Sequence, residues 1–170
     1  MTDSTLQSAA EVTADEFRTM MSGFPTGVSV TTTYLDGVPR GMTCSSMCSV
    51  TLDPPTLLVC LRFGSPTLEA IVKSGAFAVN LLHESARETA QLFASGNPDR
   101  FDLIDWEPVP DSAGPHLVRD ARTVADCEVV LTQRVGDHVT VFGEARRITH
   151  PQPQPPLLYG LRQFRSWSQV

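Results

Sequence analysis

Short runs of β-branched and apolar residues recur along most of this chain, and most are followed within three residues by Gly, Pro or Asp. The runs cover residues 28–34, 57–61, 76–82, 125–134 and 138–148, and a further strand leads toward Met42. Such runs are typical of β-strands. They do not alternate regularly with helices of 10–15 residues, which argues against a doubly wound parallel sheet. We therefore predict a mainly β fold, a β-barrel with short capping helices.

Helix signals are few. Thr13 and Glu16 form a capping box before residues 14–22, whose apolar residues fall on one helical stripe. Ser65 and Pro66 mark a second helix start. A second capping box is predicted at residues 85–88, and a short final helix at residues 157–164.

Two strand segments allow more specific predictions. The continuous apolar run 57–61 predicts a strand covered on both faces. Residues 125–134 alternate, which predicts that Asp126 and Glu128 lie on the face opposite to Cys127. The segment 96–123 is irregular and longer than ordinary loops. No repeat or second domain is evident, so we expect a flexible tail over residues 1–12 and one domain over residues 13–165.

Charge and hydropathy exclude several classes of partner. The formal net charge is −6 and the basic residues form no run, so neither a nucleic acid nor a membrane surface is expected as a partner. The longest apolar stretch is far shorter than the ~20 residues that span a bilayer, and the N-terminus lacks the apolar segment of a secretion signal. We expect a cytoplasmic protein whose four cysteines are reduced core thiols, with no metal site.

Residues 41–51 concentrate small and hydroxylated side chains between apolar segments. The chain lacks G-x-G-x-x-G, a P-loop, H-E-x-x-H and G-x-S-x-G, which excludes the common nucleotide, zinc and serine-hydrolase motifs. Hydroxyl groups donate to phosphate oxygens, and slim side chains leave backbone N–H groups accessible, so this segment suits a phosphorylated ligand. A Ser/Thr-rich turn without a ligand is the other interpretation.

Several motifs occur together in a specific order. They are FPTGVSVTT at 24–32, GMTCSS at 41–46, SVTLDPP at 49–55, FAVNLL at 77–82 and GDH at 136–138. Over about residues 14–160 the chain resembles the flavin reductase family of FMN-binding split barrels. The resemblance implies a Greek-key split β-barrel. Cys44 and Met47 depart from the residues usual in the family.

The resemblance also implies a binding site for each cofactor. The residues that would border the flavin ring are Thr26, Gly27, Val28 and Thr31. Backbone groups at the polar edge of the ring would come from Met42, Thr43 and Cys44, and the residues lying along the flavin would be Ser49 and Val50. The flavin phosphate would be met by Ser45, Ser46, Arg62, Ser65 and Thr67. His138 would contact the nicotinamide.

Some of these residues have ordinary structural interpretations. Arg62 at a strand end is commonly a solvated surface charge, and His138 opens a hairpin strand as a turn residue would. The aromatic side chains of Phe93, Phe101 and Trp106 would either cover a cofactor or pin an irregular loop to the core.

The activity implied by the resemblance is that of an NAD(P)H:flavin oxidoreductase. It would pass a hydride from NADH or NADPH to FAD or FMN and supply reduced flavin to a partner monooxygenase, as a homodimer. No Arg/Lys cluster marks a 2′-phosphate pocket in the sequence, which favours NADH. Two alternatives remain on the same barrel: a non-catalytic flavin or haem binding protein, and a flavin- or deazaflavin-dependent oxidoreductase of a bound small substrate.

Overall fold

The computed structural model describes residues 11–151 and 153–167, and most of the predicted tail lies outside them. Its helices are α1 (Ala14–Ser22), α2 (Pro66–Ser74) and α3 (Arg87–Ala94). The first five strands are β1 (Thr26–Gly27), β2 (Ser29–Leu35), β3 (Val38–Cys44), β4 (Met47–Leu52) and β5 (Pro55–Arg62). The other five are β6 (Ala76–Leu82), β7 (Ala121–Val135), β8 (His138–Thr149), β9 (Leu157–Gly160) and β10 (Gln163–Ser166). The mainly β prediction is confirmed.

Seven strands form one antiparallel sheet in the order β3-β2-β6-β7-β8-β5-β4, and β1, β9 and β10 form a smaller sheet. The strands β3 and β4 are the two edges of the large sheet, yet only Ser45 and Ser46 separate them in sequence. The chain therefore crosses from one edge of the curled sheet to the other in a single corner. This corner spans the seam of a split barrel.

Local signals place the first two helices correctly. The Thr13 hydroxyl accepts a hydrogen bond from the Glu16 N–H, and the Glu16 carboxylate accepts from the Thr13 N–H at 2.8 Å. Ser65 caps α2, which ends at Gly75 in the left-handed conformation. The capping box at residues 85–88 was a wrong prediction: α3 begins after Ala86 with no side-chain cap. The Ser85 N–H donates instead to the His83 ring at 3.2 Å, so the chain is still turning there.

The apolar stripe of α1 does not pack against the core of this chain. Phe17, Met20 and Phe24 are 55%, 62% and 63% exposed, and Met21 is 43% exposed. The periodicity thus predicted the helix but not its packing. An exposed stripe of this kind is typical of a surface that binds a partner.

Two clusters of buried side chains lie on opposite faces of β6. Phe77 and Val79 pack with Leu68 and Ile71 of α2, while Ala78 and Leu82 pack with Phe93 of α3. Phe93, Phe101 and Trp106 form successive edge-to-face contacts with centroids 5.1 and 5.9 Å apart. These aromatic residues therefore belong to the core, in agreement with the structural interpretation of the sequence.

The predictions for two segments need correction, and the burial of a third was not predicted. In β5 only Val59 and Leu61 are buried, because the strand has a solvent-facing side in this chain. Asp126 does lie on the face opposite to Cys127, beside Ala78 of β6. It is nevertheless only 4% exposed, because residues of the segment 96–120 cover that face of the sheet. Residues 157–164 form the β9–β10 hairpin instead of a helix, since β9 pairs with β1.

A buried polar network fastens the long segment 96–120 to the sheet. Asp126 accepts hydrogen bonds from Arg147 Nε at 2.8 Å and the Ala113 N–H at 2.8 Å, and it contacts the His116 ring at 3.0 Å. Asn80 Oδ1 accepts from the Leu117 N–H at 2.9 Å. A loop of this length holds one conformation here because its polar groups find partners in the sheet.

The cysteines differ in exposure. Cys44 and Cys127 are buried, Cys60 is half-buried and Cys48 is exposed, and all four are free thiols. The prediction of four core thiols is therefore wrong for Cys48, whose strand β4 is an edge. Within the part of the chain that the structure describes, no helix has the length and apolarity to cross a bilayer.

Candidate active site

A groove runs along the corner between the two sheet edges. Two adjoining depressions of about 450 and 370 Å³ share Ser45 and Tyr159, and we call them together the Ser45 groove. Of the residues implied by the resemblance, those lining it are Thr26, Val28, Thr43, Ser45 and Ser46. Both depressions have volumes typical of small-molecule sites.

Strand pairing fixes the shape of the corner. The end of β3 is held by the pairing of Cys44 with Ser29, and the start of β4 by the pairing of Met47 with Val59. The Ser46 carbonyl accepts a hydrogen bond from the Cys60 N–H at 2.9 Å. Ser45 and Ser46 are therefore presented between two anchored strand ends.

The hydroxyl groups of the groove differ in availability. Thr43 Oγ1 donates to the Ala90 carbonyl at 2.6 Å and ties β3 to α3. Among the described residues, neither the Ser45 nor the Ser46 hydroxyl has a hydrogen-bond partner in the protein, and neither residue is buried. The two serines are therefore free to bind a ligand, whereas Thr43 contributes its backbone.

Arg62 and His138 lie beside this corner, across β5. They are paired residues of β5 and β8, and the corner touches β5 on its other side. Two strand spacings of about 4.8 Å thus separate the corner from the start of β8. His138 Nδ1 lies 2.9 Å from Asp137 Oδ1, and both side chains are solvent-accessible. The hydrogen bond from His138 and its charge lower the pKa of Asp137.

Other residues implied by the resemblance lie away from the groove or beneath it. Thr31 is fully buried. The Ser65 hydroxyl caps α2 by accepting from the Leu68 N–H at 3.3 Å, and Thr67 lines a separate pocket. Gly27 pairs with Leu158 of β9. The remaining residues of the set, found on β3 and β4 outside the lining of the groove, are Met42, Cys44, Ser49 and Val50.

The sequence did not reveal several groove residues. Tyr159 and Phe164 come from the β9–β10 hairpin, with ring centroids 5.1 Å apart, and Gln91 and Ser95 come from the end of α3. The hairpin residues were missed because their segment was predicted to be helical. The apolar residues at 157–159 and Phe164 only weakly favour a strand. The pairing of β9 with β1 determines that this segment is extended.

Comparison with known proteins identifies the chain. Residues 21–168 match the family described as flavin reductase like domain. The chain belongs to the flavin reductase family. It is 48% identical over 160 residues to a flavin reductase (NADPH) of Lentzea aerocolonigenes, covering 94% of this chain and 93% of the relative.

Two further relatives of this flavin reductase family member are informative. The reductase subunit of a flavin-dependent monooxygenase from Mycobacterium tuberculosis is 34% identical over 154 residues, covering 89% of this chain and 81% of the relative. The structure of an NADH:FAD oxidoreductase from Streptomyces globisporus, in complex with NAD and FAD fragments, superposes with a TM-score of 0.84. It has 30% identity and covers 92% of this chain and 96% of that one. The split-barrel fold is thus confirmed.

The Ser45 groove of this flavin reductase family member fits a flavin. Its walls include the apolar surfaces of Val28, Met47 and Phe164, against which a ring system packs. The groove also carries the free hydroxyls of Ser45 and Ser46, and no carboxylate of the described residues lines it to repel a phosphate. The planar ring of a flavin suits the apolar walls, and its phosphorylated side chain suits the two serine hydroxyls.

Proposed function

We infer that this chain is an NAD(P)H-dependent flavin reductase that supplies reduced flavin to a monooxygenase. The observation that carries this inference is the Ser45 groove, an apolar cleft with free hydroxyls at the seam of a flavin reductase fold. The named relatives include NADPH and NADH flavin reductases and monooxygenase reductase subunits.

The protein's own contribution is to hold two ring systems together. NAD(P)H supplies the hydride and the flavin accepts it, so the bond chemistry belongs to these molecules. Parallel rings about 3–3.5 Å apart react readily once they are aligned. No side-chain acid or base is required for the hydride itself, which is consistent with a groove lined by Ser, Thr and apolar residues.

We assign the parts of the groove as follows. Thr26, Val28 and Phe164 pack against the flavin ring, and the Ser45 and Ser46 hydroxyls donate to the flavin phosphate. Arg62 lies beyond the corner on the end of β5, where its positive charge attracts that phosphate.

His138 is assigned to orient the nicotinamide. It begins β8 across one strand from the corner, and its Nδ1 is engaged by Asp137 at 2.9 Å. The other ring nitrogen, Nε2, forms no hydrogen bond with any described residue, and we assign it to the carboxamide group. His138 thereby positions the ring that gives up the hydride and transfers no proton in that step.

A homodimer would complete the groove. Met21 and Phe24 line the groove from the exposed stripe of α1, so a subunit docked on this stripe would also wall the groove. Leu52, at the end of edge strand β4, is 88% exposed.

Light scattering during size exclusion tests this assembly: we expect twice the chain mass for the wild type, and the mass of a monomer for the double variant Phe17→Glu with Phe24→Glu. Leu103→Glu, in an exposed loop, serves as the matched control.

The activity is tested by anaerobic mixing of the purified protein with each of four pairs, FAD or FMN with NADH or NADPH. We expect the flavin absorbance to bleach with at least one pair at a rate well above that without protein. Bleaching with none of the four pairs would contradict the reductase function. Tight flavin retention without nicotinamide oxidation would favour a binding protein.

A further inference from the structure

A second pocket opens between β3, the start of α2 and the residues that follow α3. Its volume is about 350 Å³, and it shares no lining residue with the Ser45 groove. Strand β3 contributes Arg40, the first turn of α2 contributes Pro66 and Thr67, and the segment after α3 contributes Arg100. We call it the Arg40 pocket.

Two guanidinium groups meet in this pocket without a carboxylate. Arg100 is held by two carbonyls, with Nη1 2.9 Å from the Gly41 oxygen and Nε 2.6 Å from the Asn97 oxygen. Arg40 donates only to the adjacent Pro39 carbonyl at 3.3 Å. Over residues 11–151 and 153–167, neither arginine forms a salt bridge, and no Asp or Glu lines the pocket. Burial and the nearby charge of Arg40 lower the pKa of Arg100, as expected for uncompensated positive charge.

Thr67 supplies an unpaired donor to the same pocket. The residue is 4% exposed, yet its hydroxyl forms no hydrogen bond with any residue that the structure describes. It lies in the first turn of α2, where the helix dipole favours an anion. Pro66 has no N–H and the Leu68 N–H donates to Ser65 Oγ, which leaves the Thr67 N–H without a helical partner. Because Thr67 lines the pocket, this hydroxyl is available to a ligand.

We propose that the Arg40 pocket binds a phosphate monoester, the 2′-phosphate of NADPH. This assignment rests on the proposed reductase function. Two guanidinium groups, a hydroxyl and a helix N-terminus match a dianionic phosphate in both charge and hydrogen bonding. The absence of a basic run in the sequence suggested NADH; the fold instead brings together two arginines that are 60 positions apart.

The position of the pocket favours the reductant over the flavin as the source of the phosphate. The Phe63 N–H donates to the Asp137 carbonyl at 2.9 Å, beside His138. Pro66 begins α2 three residues later, so at most ~10 Å of chain separates the assigned nicotinamide site from the pocket. A dinucleotide that extends along this loop reaches both places.

The test measures binding without turnover first. Titration calorimetry compares adenosine 2′,5′-bisphosphate with adenosine 5′-monophosphate on the wild type, Arg40→Glu and Thr67→Val. We expect the wild type to bind the bisphosphate about tenfold more tightly, and Arg40→Glu to abolish this preference. Thr67→Val keeps the side-chain shape but removes the hydroxyl, and it should weaken the preference for the bisphosphate severalfold. Lys73→Glu, at the other end of α2, makes the same charge change and should leave the preference intact.

Steady-state kinetics then assigns the source of the phosphate. We expect Arg40→Glu to raise the KM for NADPH about tenfold, with the KM for NADH and the Kd for FMN within twofold of wild type. Equal binding of the two nucleotides by the wild type would overturn the proposal, as would a loss of FMN affinity in place of NADPH affinity. Failure to bleach flavin with any pair, with the bisphosphate preference intact, would contradict the reductase function alone.

Discussion

Asp126→Asn should destabilise the protein by loosening the segment 96–120 from the sheet. The carboxylate of Asp126 receives Arg147 Nε and the Ala113 N–H, each at 2.8 Å, and contacts His116 Nε2. The side chain of Asp126 is 6% exposed and that of His116 is 3% exposed. The amide variant has nearly the same shape, so the substitution chiefly removes the negative charge.

The magnitude follows from these contacts. Asparagine still accepts the Ala113 N–H, but it loses the charge opposite Arg147 and presents one oxygen instead of two. A hydrogen bond to a charged group contributes about 1.5–3 kcal/mol. The side chain of Arg147 is 35% exposed, so solvent screening reduces the contribution of its ion pair with Asp126. We expect a loss of about 2–3 kcal/mol in the free energy of unfolding, or a decrease in Tm of about 5–10 °C for a domain of this size.

Thermal unfolding followed by circular dichroism measures this change, with Asp105→Asn as the matched control. Asp105 pairs with Arg119 at 2.7 Å in the same segment, but both side chains are mostly exposed, so its loss should cost at most about 1 kcal/mol. A Tm for Asp126→Asn equal to that of the control would refute the role assigned to the buried network.

The pH dependence of stability gives the same prediction a second readout. Burial alone would raise the pKa of Asp126, but hydrogen bonds from His116, Ala113 and Arg147 outweigh it and hold the pKa below its ordinary value. The network therefore stabilises the fold fully above ~pH 4, and this contribution is lost as the pH falls through the lowered pKa. Between pH 7 and pH 3 the wild type should lose more Tm than Asp126→Asn does.

Four further changes test other parts of the structure. Gly143→Ala places a Cβ 2.4 Å from a buried phenyl ring and should cost about 1–3 kcal/mol in chemical denaturation; an unchanged midpoint would contradict that packing. Iodoacetamide at pH 8 should alkylate exposed Cys48 but spare Cys44, because burial raises the pKa of Cys44 to about 11; peptide mass spectrometry distinguishes them. Ser45→Asp should weaken flavin binding at least tenfold through repulsion of the phosphate, measured by fluorescence titration, whereas an unchanged Kd would place the phosphate elsewhere. His138→Ala should raise the KM for the nicotinamide several-fold and leave flavin Kd nearly unchanged; equal effects on both would contradict its assignment.

Local signals were the part of the fold that the sequence predicted best. The Thr13 capping box, the Ser65 cap with Gly75, and the turn at Gly136 and Asp137 all appear where expected. Each depends on residues within a few positions of one another, so its physical basis is present in a short window of sequence.

Features that depend on distant partners could not be predicted in this way. Residues 157–164 read as a short helix, yet β9 pairs with β1, which lies about 130 positions earlier. Leu161 and Arg162 adopt positive φ at the hairpin turn, which their residue types do not favour. The sequence placed Asp126 correctly on the face opposite to Cys127, but it could not show that this face is buried, because the covering residues Ala113 and His116 come from a segment without a regular pattern.

The Arg40 pocket and the Asp126 network are connected through one segment of the chain. Arg100 reaches the pocket only because residues 96–120 lie against the sheet, and its guanidinium is held by the Gly41 carbonyl of β3. Gly41 is tightly packed: a Cβ there would come within 3.0 Å of Thr32 and 3.1 Å of Phe101, so these side chains would have to shift. The segment 96–120, which has no regular pattern in the sequence, therefore determines the position of the Arg100 guanidinium in the pocket. If the Arg40 pocket binds the 2′-phosphate of NADPH as proposed, Asp126→Asn should lower both the Tm and the preference for adenosine 2′,5′-bisphosphate.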